Sequence, residues 1–74
     1  MNHDEGFRVC DRLVEVRKAA GKTQKEVAAA IGVPERTYQK HEAGEQLPRL
    51  PVIVALARLY GVSTDYLLGL KDTP

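Results

Sequence analysis

The chain is predicted to be all-α, a compact bundle of five short helices in one domain. Apolar residues recur at helical spacing in successive stretches, and each stretch is closed by a glycine, at positions 21, 32, 44 and 61. At 74 residues there is room for a single modest core.

Residues 1–6 read as a polar tail in which Asp4 is suited to cap the first helix, and the folded domain spans 7–70. Helix 1 is expected from Phe7 to Ala20. Cys10, Leu13, Val14 and Arg17 fall at i, i+3, i+4 and i+7, an apolar stripe that ends in a guanidinium in want of a partner. Cys10 is read as a small buried residue, because no companion stands near it at metal-ligand spacing.

Thr23 and Glu26 form the T-x-x-E pattern of a capping box, so a second helix starts there, with Val27, Ala28 and Ile31 facing inward. Gly32 permits a sharp reversal, and Pro34 has the fixed φ of a first helical turn, so a third helix is expected from Pro34 to Ala43, ending at Gly44. Glu45 to Arg49 reads as a loop, blocked from helix by Pro48. Helix 4 carries Pro51 in its first turn and Ile53, Leu56, Ala57 and Tyr60 on one side as far as Gly61. Ser63 then caps a short fifth helix with Asp65 in its first turn, and Lys71 to Pro74 form a polar C-terminal tail.

Composition narrows the function. A hydrophobic share of 43% and a charged share of 28% are those of a soluble globular domain. The one cysteine excludes an internal disulfide and fits a reducing cytoplasm. Leu50 to Ala57 runs 8 residues without a charge, against the roughly 20 a membrane-spanning helix needs. No membrane association is expected, and Met1 to Gly6 lacks the pattern of a secretory leader.

The net charge of +1 is unevenly spread. Residues 17–49 hold Arg17, Lys18, Lys22, Lys25, Arg36, Lys40 and Arg49 against Glu26, Glu35, Glu42 and Glu45, a balance of +3, and the remainder carries −2. A basic centre between acidic ends is the footprint of a face that meets phosphates; mixed surface charge is the alternative.

The third helix has an unusual surface. Tyr38 is its one strongly apolar residue, whereas Glu35, Arg36, Gln39 and Lys40 carry long hydrogen-bonding side chains near its amino end. A double-stranded DNA edge matches them: Arg and Lys pair with guanine O6 and N7, Gln with adenine, and Glu accepts from cytosine N4.

The run from Gln24 through Gly44 resembles the helix-turn-helix of the Cro and lambda-repressor family, often called the XRE family, and the likeness extends from Leu13 to about Gly69. It implies a lambda-repressor-like bundle that binds double-stranded DNA as a regulator of transcription, a repressor more usually than an activator. Ala28 is then the small residue where the two helices touch, Gly32 the turn, and Arg17 with Glu42 a structural pair bracing helix 1 against helix 3. The base-reading positions of the family fall on Glu35, Arg36 and Lys40, with Gln39 beside them. Glu35 suits a cytosine amino group, a pair with Arg36 or Lys40, exclusion of wrong sequences, or charge compensation at a helix start. Phosphate contacts are expected from Gln24, the backbone of Ala43 and Gly44, Arg49 and Lys22.

Three positions depart from the family pattern: His41 stands at an apolar site, Ala43 where asparagine is common, and Pro34 in place of a Ser or Thr cap. A domain of this size makes few phosphate contacts, so a homodimer spanning major grooves about 34 Å apart is expected. Leu67, Leu68 and Leu70 offer an interface unless they complete the core.

An enzyme is poorly supported. Ser63 is the only serine and sits where a cap is wanted, and no nucleophile, base and acid constellation or metal site is visible. No cofactor or small-molecule ligand is expected. A protein-interaction module on the same fold is the main rival, since Glu35 and Glu45 would suit a basic partner.

Overall fold

A computed structural model describes residues 9–74, all helix and connecting turn: α1 (Val9–Ala19), α2 (Gln24–Ile31), α3 (Glu35–Ala43), α4 (Leu50–Tyr60) and α5 (Thr64–Leu67). The N-terminal tail, Asp4 as a cap and the start of helix 1 at Phe7 lie outside the described residues.

The capping box at Thr23 forms in both directions: the Glu26 amide donates to Thr23 Oγ1 at 3.0 Å and the Thr23 amide to Glu26 Oε1 at 2.8 Å. That backbone bond holds the Glu26 carboxyl below the usual range. Gly32 ends α2 in the left-handed region at φ 76°, where a side chain would be strained, and its reversal places Val33 against the core. Pro34 stands one position earlier than expected. It is the N-cap of α3, with ψ 144°, and its carbonyl accepts the first helical bond, from the Tyr38 amide at 3.1 Å.

The core joins all five helices: Val9 and Leu13, Val27 and Ala28, Tyr38, then Ile53, Leu56 and Ala57, and finally Leu67. α3 packs against both α1 and α2, and α5 closes the opposite side against α1 and α4. Burying these side chains is the main stabilising term, worth on the order of 1.5–3 kcal/mol for each large one.

Two further expectations are corrected. The buried stripe of α1 is Val9 and Leu13 with Val16 beside them, and Cys10 is only half-buried. α1 touches α3 on one side and α5 on the other, which turns its apolar arc away from the single stripe read through Cys10 and Val14. Leu67 is 0% exposed and belongs to the core, so it is not available to a second copy; Leu68 packs partly against that core and Leu70 remains 57% exposed. The Ser63 cap forms as expected, accepting from the Tyr66 amide at 3.0 Å.

Candidate nucleic-acid interface

Helix α3 is amphipathic in an uncommon sense. It buries Tyr38 (0% exposed) and His41 (3%) against the core. The spacing of three places both on one side, so Glu35, Arg36, Gln39 and Lys40 are left on the solvent side, all exposed. Arg36, Gln39, Lys40, Ala43 and Glu45 together line a shallow recess of about 250 Å³. Gln39 Nε2 lies 3.4 Å from Glu35 Oε2, one turn back along the helix.

His41 keeps the core packed although it is polar. Its Nδ1 lies 2.8 Å from the carbonyl oxygen of Gln46, which only accepts, so Nδ1 carries the hydrogen. The ring meets Tyr38 edge-on at 6.4 Å. A loop carbonyl thus replaces the apolar contact an aliphatic residue would make.

The α3 helix is fixed from behind by a charged cluster. Arg17 Nε donates to Glu42 Oε2 at 2.6 Å, Nη2 to Glu42 Oε1 at 3.1 Å, and Nη1 to the Lys22 carbonyl at 2.8 Å. Gln24 Nε2 adds a third bond to Glu42 Oε1 at 3.0 Å. One carboxylate therefore ties α1, α2 and α3 together. Burial pushes the Glu42 carboxyl up, but the bonds from Arg17 and Gln24 outweigh it and hold its pKa below the usual range. The same bonding to Glu42 raises the pKa of Arg17. Among the described residues, the hydroxyls of Tyr38 and Tyr60, buried nearby, have no partner at hydrogen-bond geometry. Burial, with the charge of Glu42, pushes both phenols up.

The remaining expected phosphate contacts are distributed around α3. Gly44 caps it at φ 78°, Ala43 and Gly44 are exposed, and Arg49 is the exposed N-cap of α4. Lys22 leads into α2, where its carbonyl is already taken by Arg17. One of the side-chain N–H groups of Gln24 is committed to Glu42.

Sequence reasoning missed Arg12. Its guanidinium lies 4.0 Å from the Tyr66 ring centroid, donates to the carbonyls of Tyr66 (2.9 Å) and Lys71 (3.2 Å), and approaches Asp72 at 3.8 Å. With Ser63 N donating to Pro74 O at 2.9 Å, it fastens residues 71–74 to α1 and α5. Its position beside Leu13 and one turn from Val9 and Val16 was the available signal.

Two exposed-rim helices joined by a left-handed glycine, braced by an internal ion pair, define a helix-turn-helix protein. A helix-turn-helix family model matches residues 13–67, and the chain belongs to that family, of the Cro and lambda-repressor type. It is 46% identical over 65 residues to the uncharacterized HTH-type transcriptional regulator YobD of Bacillus subtilis, covering 88% of this chain and 58% of that one. It is 39% identical to the cryptic phage CTXphi transcriptional repressor RstR of Vibrio cholerae, covering 85% and 56%. It is 43% identical to the HTH-type transcriptional regulator ImmR of Bacillus subtilis, covering 82% and 47%. The chain thus spans about half the length of these relatives. A crystal structure of a transcriptional regulator from Listeria innocua superposes with a TM-score of 0.81 at 25% identity, covering 85% of this chain and 59% of that one. These relatives are named as regulators of transcription, not as enzymes. Among the described residues no helix is long and apolar enough to cross a membrane.

Proposed function

We propose that this chain is the sequence-specific double-stranded DNA-binding part of a cytoplasmic transcriptional regulator, acting as a homodimer and as a repressor rather than an activator. The observation that carries it is the division of α3: Tyr38 and His41 hold the helix to the core, and Glu35, Arg36, Gln39 and Lys40 stand uncovered on the other side. In this reading the amino end of α3 enters the major groove, α2 lies across the backbone, and Arg36 takes a guanine through O6 and N7. Lys40 and Gln39 read neighbouring bases and Glu35 a cytosine amino group. Gln24, Lys22, Arg49 and the backbone at Ala43 and Gly44 hold phosphates. The partially exposed Leu68 and Leu70 remain the proposed contact between copies.

A salt titration tests it. Duplex binding should weaken linearly in log salt with a slope set by the phosphates engaged. Retention by a basic protein with no loss of duplex affinity on adding salt would favour the interaction-module reading instead.

A further inference from the structure

The reading face of α3 carries no net charge. Arg36 and Lys40 line its recess, but Glu45 lines it with them, and Glu35 stands beside Arg36, within reach of Gln39. The backbone places Glu45 there: left-handed Gly44 reverses the chain, and the amides of Glu45 and Gln46 both donate to the Lys40 carbonyl, at 3.0 and 3.3 Å. All four charged side chains are exposed. Among the described residues neither carboxylate is ion-paired to a cation.

A face designed only to grip a polyanion would omit both acids, since each meets phosphate oxygens with like charge. Resting on the duplex-binding reading, we propose that Glu35 and Glu45 are specificity-determining residues that act by exclusion. They cancel the indiscriminate attraction of Arg36 and Lys40 to phosphates. The face then gains only where base edges satisfy both signs, with acceptors for the cations and a donor for a carboxylate. A G·C pair presents both in the major groove, guanine O6 and N7 beside the cytosine N4 amino group. The ligand class is a half-site carrying G·C pairs under the first turns of α3.

The test compares Glu35→Gln, Glu45→Gln and their double variant with the unaltered chain. Two duplexes of equal length are used: one enriched from a random pool by the unaltered chain, and a scrambled version of it. Thermal midpoints establish that each variant is folded. The double variant should bind the scrambled duplex about tenfold more tightly at low salt and steepen the log–log salt slope by about one for each acid removed. Affinity for the enriched duplex should rise less, so the ratio between the two falls. Glu45→Asp, which keeps the charge, should keep the ratio. If the unaltered chain discriminates and the double variant leaves both ratio and slope unchanged, exclusion by these carboxylates is wrong while duplex binding stands. If the folded, unaltered chain enriches nothing and shows no binding to the random pool at low salt, the duplex-binding reading fails, and this inference with it.

Discussion

Arg17 in α1 grips Glu42 in α3 with two nitrogens, Nε at 2.6 Å from Oε2 and Nη2 at 3.1 Å from Oε1. Their side chains are only 14% and 5% exposed. The pair ties α3 to α1, and Gln24 extends the tie to α2. Taking two charges out of water costs several kcal/mol each, so the pair is worth most as a means of orientation.

Arg17→Ala should therefore destabilise the fold by about 3 kcal/mol, because it leaves Glu42 charged and buried with the Gln24 amide as its neutral donor. Replacing both partners by leucine should cost much less. Urea midpoints of the single and double variants check this; equal losses would mean that the stranded charge is not what matters.

The depressed Glu42 carboxyl sets an acid limit. Its folded pKa lies below the ordinary value of 4.5, so its contribution is complete above that value and is lost as pH falls through the lower, folded pKa. Unfolding free energy should thus decline below about pH 4.5. Glu42→Gln should lower stability at neutral pH and flatten that decline, apart from what Glu26, also depressed, contributes.

Arg12→Ala should release residues 71–74 and cost about 1–3 kcal/mol, from the lost carbonyl bonds and the contact with the Tyr66 ring. Hydrogen exchange reads it locally. The Ser63 amide, which donates to Pro74 O, should lose protection, while the Tyr38 amide in α3 keeps its own.

Arg36→Ala should flatten discrimination among duplex sequences, by about 1–3 kcal/mol at one base position. Gln24→Ala should weaken all sequences alike. Because Gln24 also holds Glu42, its folded fraction must be measured beside its affinity.

Much of this fold could be read from local chemistry. The Thr23 and Glu26 capping box, the glycine ends of the helices and the Ser63 cap involve partners within a few residues, so spacing alone announces them. The Arg17 and Glu42 pair, 25 residues apart, was visible only through family resemblance. Arg12 escaped because the two carbonyls it donates to lie 54 and 59 residues away, and backbone carbonyls carry no residue signature. Leu67, Leu68 and Leu70 look alike in sequence; only the packing of α5 against α1 and α4 sends the first inward and leaves the last in water. His41 looked misplaced for the same reason, since the carbonyl that satisfies it belongs to a loop of no regular pattern.

Whether the uncovered rim of α3 reads nucleotide edges is decided most directly by selecting bound sites from a random duplex pool at low ionic strength. Enrichment of two-fold symmetric sequences is expected, with half-sites about one helical turn apart, each holding a guanine that Arg36→Ala makes dispensable. A pool returned unenriched by the folded chain would contradict that reading of α3.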